Sequence, residues 1–202
     1  MATKVALSFS GGKDSCLALY RLQQQNIDIA CLVTTVWKKD QQTVAHGENR
    51  ERVKKQAQSL GIPVYFIETD FDMYGEDFVE ALVKIKNQYT IDGAAFGDIY
   101  LKGHRDWGEA ISRQAGLEAV YPLWTEQENA LALLQEFVEL NFKARIIKID
   151  HEKLPKSWIG RLIDGAFIDD IKNRSVCPMG ESGEYHTFVY DGPVFAYPLQ
   201  DV

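Results

Sequence analysis

The sequence predicts an α/β fold: a doubly wound parallel sheet followed by a smaller C-terminal α+β domain. Three observations carry this. Short apolar runs alternate with amphipathic helical patterns from the N-terminus to about residue 123, the order of a parallel sheet with right-handed crossovers. The early runs are continuous in hydrophobicity rather than alternating, as in strands covered on both faces. The first run stops at Ser10-Gly11-Gly12 and a helical pattern begins within three residues, which is how a chain builds an anion site at a helix N-terminus.

Residues 5–9 form the first predicted strand, and Cys16, Leu17, Leu19, Tyr20 and Leu22 give the next helix its apolar stripe, closed by Asn26. Residues 29–36 are a β-branched second strand, followed by a polar loop over 37–47 that is long for a plain connection. His46 in that loop reads as an exposed histidine more readily than as a ligand-binding one. A charged helix over 48–60 stops at Gly61 and Pro63, then come a strand over 64–67, a helix over 76–89 and a small-residue strand over 93–96. A helix from 103 to 115 and a strand over 117–124, broken at Pro122, complete the sheet. Beyond a boundary near 123, Thr125 and Glu128 resemble a capping box before a helix to about 140. Next come a strand over 144–149, short helices over 158–164 and 169–173, and strands over 188–190 and 194–197 joined by the turn Asp191-Gly192-Pro193. Ser10 and Asp98 both fall at carboxyl ends of strands, where such sheets bind ligands.

The net charge of −7 argues against broad nucleic-acid binding through the phosphate backbone. No signal-peptide pattern precedes the first strand and no apolar run would span a bilayer, so a cytoplasmic protein without membrane contact is expected. Three scattered cysteines form no Cys-x-x-Cys pair, hence no disulfide framework or zinc site. Cys16 and Cys31 read as small core residues.

The chemistry of Ser10-Gly11-Gly12-Lys13-Asp14-Ser15 is that of a phosphate cradle. Paired glycines allow close backbone approach, Lys13 adds fixed positive charge, and Ser10 and Ser15 supply hydroxyls. A Walker loop would need Gly at position 7 and Ser or Thr at 14, where the chain has Leu7 and Asp14. The hexapeptide resembles instead the pyrophosphate loop of the ATP pyrophosphatase superfamily, which cuts ATP between the α and β phosphates. A second dense stretch, residues 177–187, packs Gly180, Glu181, Gly183, Glu184, His186 and Thr187 into one loop. Its acids and histidine suit proton transfer, Mg²⁺ binding or orientation of an amine nucleophile; a solvated polar turn is the plainer alternative.

These two stretches occur in order with Phe96-Gly97-Asp98-Ile99, His104-Arg105, Trp107, Gly116-Leu117-Glu118, Pro122-Leu123-Trp124, and Trp158-Ile159-Gly160-Arg161 with Asp164. Together they resemble the diphthine–ammonia ligase family over nearly the whole chain. The family commonly reads Asp-Pro-Cys-Gly before the glutamate loop, whereas this chain reads Cys177-Pro178-Met179-Gly180. The resemblance implies an adenine nucleotide alpha hydrolase-like fold, with 1–123 as the ATP-binding domain and 124–202 as the substrate domain. It implies an AMP-forming ligase using ATP and Mg²⁺, which adenylates the carboxylate of diphthine on translation elongation factor 2 and amidates it with ammonia.

In that scheme Ser10, Gly11, Gly12, Lys13, Asp14, Ser15 and Gly97 bind ATP, and Lys13, Asp98, Glu181, Glu184 and His186 are catalytic. Gly183, Thr187 and Arg105 meet the substrate, although Arg105 reads equally as a surface ion pair. Asp14 either positions the metal or favours the helix N-terminus. No glutaminase signature is visible, so free ammonium or a donor protein supplies the nitrogen, and a homodimer is compatible with the reading. The competing expectations are another carboxylate acceptor, a tRNA-modifying relative, and a non-catalytic nucleotide-binding module.

Overall fold

In the computed structural model, residues 1–45 and 47–200 are described, and the expectation for His46 lies outside them. Five parallel strands form one sheet in the order β3-β2-β1-β4-β5. They are β1 (Lys4–Ser8), β2 (Asp28–Trp37), β3 (Val64–Thr69), β4 (Gly93–Ala95) and β5 (Glu118–Val120). Helices α1 (Lys13–Gln24), α2 (Arg50–Leu60), α3 (Tyr74–Tyr89) and α4 (Lys102–Gln114) connect them. The chain winds outward from β1 to β3, then returns to place β4 on the other side of β1. That reversal leaves a crevice beyond the carboxyl ends of β1 and β4.

Both faces of the sheet are covered, and β1 shows how. Val5 and Leu7 point into a core shared with α1 and α2, while Ala6 points into a second core with Phe78, Leu82 and Ile111 of α3 and α4. A strand with period-two geometry therefore reads as a continuous apolar run. Cys16 and Cys31 are buried, one in each core. Asn49 caps α2 by accepting from the Glu51 N–H at 2.8 Å. Gly61, at φ +67°, ends the same helix in the left-handed region that favours glycine. No helix among the described residues is long and apolar enough to cross a membrane.

The C-terminal part comprises α5 (Ala130–Glu139), α6 (Gly165–Ile171) and an antiparallel pair, β6 (Lys143–Ile149) with β7 (Tyr185–Asp191). Leu134, Phe137, Ile146 and Phe167 join the same core as Leu17 and Leu19 of α1, so one apolar interior crosses the expected boundary. At its edge Arg21 pairs with Glu136 through both carboxylate oxygens and donates to the Pro122 carbonyl at 3.1 Å. Both side chains are about one-third exposed, so this pair adds orientation more than stability.

Four local expectations need correction. The last sheet strand is only Glu118–Val120, because the chain turns at Tyr121 and Pro122 has no N–H to extend the ladder. The capping box does not form. Glu128 lies in a 3₁₀ turn (Gln127–Asn129), the helix starts after it, and the Thr125 N–H is drawn to the Ile99 carbonyl at 2.9 Å. Residues 159–163 are not helical: Gly160 donates to Ile146, Ile146 to Arg161 and Ile163 to Ala144, so this segment runs beside β6. Asp164 instead caps α6 by accepting from the Phe167 N–H at 2.9 Å. Residues 194–197 form no strand, since the Ala196 N–H is taken by Ser59 of α2.

Phe137 is fully buried and stacked on Phe142 at 4.8 Å between ring centroids. Phe137→Ala is expected to cost about 3–5 kcal/mol. Urea denaturation is expected to show one transition for both parts of the chain, because they share the core.

Candidate functional site

The crevice at the strand ends is occupied by the glycine loop. After β1 the Phe9 N–H still bonds to Val33, then Gly11 turns at φ +80° and Gly12 precedes the first turn of α1. No side chain of the loop caps that helix start. The donor at Lys13 N–H is instead met from a distant strand, by the Thr187 hydroxyl of β7 at 3.0 Å. Ser15 donates to the Gly12 carbonyl at 3.0 Å and stands 3.4 Å from the Ser10 hydroxyl.

Lys13 is buried to 1% exposure. Its ammonium lies 3.0 Å from Asp14 and 4.7 Å from the centre of the Tyr185 ring, which together replace lost hydration. Burial raises the Asp14 carboxyl above its ordinary range, against the pull of Lys13. Its Oδ1 is buried with no hydrogen-bond partner. Gly97 passes so close to this helix start that a Cβ there would lie 3.2–3.3 Å from the backbone of Asp14 and Ser15. That approach is what brings Asp98 to the loop.

A cavity of about 610 Å³ results. Ser10, Lys13, Asp14, Ser15, Gly97 and Asp98 line it from the sheet, and Glu181, Gly183, His186 and Thr187 from the C-terminal part. Gly11 and Gly12 shape the turn without lining the cavity. Glu184 also lies off the wall: it is buried and accepts from the backbone N–H of Ser182 at 2.9 Å and Cys177 at 3.3 Å, bracing the loop. Arg105 lies outside the wall too, paired with Glu109 at 2.8 Å and stacked over Trp124 at 4.8 Å.

Among the wall residues that the sequence reading did not assign to the site, His104 and Tyr185 carry chemistry. His104, on the first turn of α4, meets Asp98 at 3.0 Å through Nδ1, and this bond raises the imidazole above its usual range. Tyr185 covers Lys13 and donates to the Pro178 carbonyl at 2.5 Å. Only the helix N-terminus after Asp98 hinted at the first, and nothing in the spacing marked the second.

Glu181 reaches across to accept the Ile99 N–H at 2.9 Å. Burial, followed by the charges of Asp14 and Asp98, pushes its carboxyl up to about 7. His186 is pushed down to about 4 by burial, helped by the nearby Lys148 and Lys13 charges. Donor atoms of Asp98, His104 and Glu181 lie within 4.8 Å of one another, close enough to share a cation. Hydroxyls, a buried ammonium and the Asp14 and Asp98 carboxylates on one wall, with Glu181 and a neutral imidazole opposite, suit anion holding beside proton transfer.

His186 gives a stability test. In the unfolded chain its imidazole binds a proton below about 6.5, whereas the folded site refuses it until about 4. The unfolded state therefore holds more protons in that window, and this contribution is lost as pH falls from about 6.5 to 4. His186→Gln is expected to flatten this part of the stability–pH curve, measured by urea denaturation across pH 4–7.

Comparison with known proteins matches residues 3–119 to the model of the diphthamide synthase N-terminal domain and residues 129–200 to that of the C-terminal domain. Proteins named diphthine–ammonia ligase from Mus musculus and Homo sapiens are each 27% identical to this chain, over 95% of it and 80% of their own length. The Danio rerio protein of that name is 26% identical, over 92% of this chain and 81% of its own. A looser likeness joins the chain to the U34-tRNA thiolase NcsA from Methanococcus maripaludis, at 18% identity and a TM-score of 0.41. It covers 68% of this chain and 56% of that one.

Proposed function

The chain belongs to the diphthamide synthase family, and from that premise we propose that it adenylates a carboxylate with ATP and converts it to an amide with ammonia. The acceptor is the diphthine side chain of translation elongation factor 2, which sets the enzyme in the cytoplasm. Residues 1–123 act as the ATP-binding part and 124–202 as the acceptor part. One observation carries the reading: the Ser10–Ser15 loop and the loop bearing Glu181 and His186 face each other across a single cavity. A nucleotide-binding module would need only the first.

A carboxylate is a poor electrophile, since attack by ammonia would have to expel oxide. Its oxygen instead attacks the α-phosphorus of ATP, the bond to the β-phosphate bridge breaks, and pyrophosphate departs. The Lys13 ammonium and the hydroxyls of Ser10 and Ser15 stabilise the charge that grows on the leaving group. Thr187 gives the Lys13 N–H an acceptor at hydrogen-bond distance when no phosphate is there. Ammonia then adds its lone pair to the acyl carbon, AMP leaves with the bonding pair, and the surplus proton on nitrogen passes to a base. His186, neutral at working pH because its site holds it down to about 4, can accept a hydrogen bond from that nitrogen. Glu184 keeps that loop in shape through the Ser182 and Cys177 amides.

Mg²⁺ fits the oxygen donors present. The Asp14 Oδ1 without a partner and the Glu181 carboxyl raised by its acidic neighbours are both groups that a cation would relieve. Asp14, Asp98 and Glu181 would hold it, and it would supply neutralisation of phosphate charge.

Incubating the protein with ATP, Mg²⁺, ammonium and the diphthine-bearing factor is expected to release AMP and pyrophosphate, resolved by chromatography. ADP as product would overturn the ligase chemistry, and AMP release indifferent to the factor would overturn the acceptor. Lys13→Ala is expected to lower turnover by about 10²–10³-fold while the protein stays folded by circular dichroism. Unchanged turnover would remove Lys13 from the mechanism.

A further inference from the structure

Gln56 lies in the middle of α2, among residues whose pattern reads as an ordinary amphipathic helix, and is fully buried. Its Nε2 donates to the Gly11 carbonyl at 2.8 Å and to the Val189 carbonyl at 2.7 Å. The Val189 N–H in turn donates to the same Gly11 carbonyl at 3.0 Å. One side-chain amide therefore joins the phosphate loop to β7, the strand that also carries His186 and Thr187. Its Oε1 has no hydrogen-bond partner and lies 2.3 Å from where a Cβ on Gly11 would stand, so the amide closes on the bare face of that glycine.

From this geometry we infer that Gln56 is a positioning residue for the phosphate loop, fixing the Gly11 peptide against β7 so that the loop is set for pyrophosphate before ATP arrives. The inference rests on the ATP reading above. The chemistry required is narrow. Two buried carbonyls converge, and only a side chain with two donors on one nitrogen satisfies both. Methionine matches the length without donors, and glutamate matches the shape while turning an oxygen toward the two carbonyl oxygens. Gln56 touches no part of the cavity wall, so its loss acts through the loop and not on the acceptor. Without the amide, the Gly11 peptide keeps only the Val189 N–H, so more of the loop's ordering falls to the ligand and affinity for the phosphates drops.

The test is calorimetric binding of ATP and of inorganic pyrophosphate, with steady-state kinetics, on the full chain and its Gln56→Met and Gln56→Glu variants. Both variants are expected to weaken ATP and pyrophosphate binding by about tenfold, raising KM for ATP and leaving KM for the acceptor within about twofold. Ser59→Ala serves as the control. It sits on the same helix and loosens only the tail held at Tyr197, so it is expected to lower the melting temperature without moving either affinity. Variants that bind both phosphates like the wild type would overturn the inference alone, as would a parallel rise in both KM values. Wild-type protein that binds neither ligand would overturn the ATP reading and this inference with it. Should both variants fail to fold, hydrogen exchange on the wild-type chain decides. Pyrophosphate is expected to slow exchange of the Val189 amide, and an unchanged rate would overturn the proposed coupling.

Discussion

A lysine ammonium held almost entirely out of water is the constraint on which the rest of this site depends. Taking Lys13 out of solvent requires negative charge and a polarisable surface around it. Asp14 supplies the charge from the next position in the chain, and Tyr185 supplies a ring face from β7. The second requirement reaches 172 residues along the sequence, so the cradle cannot be a local motif. It forces β7 down onto the start of α1, where Thr187 meets the Lys13 N–H and Val189 meets Gly11. The loop with Glu181 and His186 comes with β7 because it leads directly into that strand.

The parallel sheet was legible because its order is written in local signals: apolar runs of strand length, glycine and asparagine stops, and amphipathic helices between them. The C-terminal part was less so. Residues 159–163 carry a helix-like mixture, yet their hydrogen bonds go to β6, and the β-prone run at 194–197 is claimed by Ser59. In both places the deciding partner is remote in sequence. The site divides along the same line. Ser10 to Ser15 could be recognised because neighbours in sequence are neighbours in space. The His104–Asp98 pair depends on how α4 docks, and Gln56 looks like any polar helix residue until Gly11 and Val189 are seen on either side of it. Arg105 pairs within its own helix with Glu109 and stacks on Trp124, a contact that depends on the same docking of α4.

The loop before β7 is itself anchored by buried residues. Met179 is fully buried in the main core, and Cys177 is buried with its backbone N–H directed to Glu184. Met179 thus serves packing, and Cys177 helps brace the loop through its amide. Gly180 turns at φ +66°, and a Cβ on it would lie 2.9 Å from the Tyr185 ring, so both its backbone angle and its surroundings call for glycine.

The distance in sequence between the loop and its strand has a consequence for synthesis. On the ribosome the Ser10–Ser15 segment emerges well before β7, the last of the strands described. Until β7 arrives, the Lys13 ammonium has no ring to rest on, Gln56 has only one of its two carbonyls, and the apolar side of α1 is open. A nascent or prematurely terminated chain therefore carries the recognisable hexapeptide without a competent cradle. A chain that stops short of β7 lacks both the ring over Lys13 and the hydroxyl at its N–H.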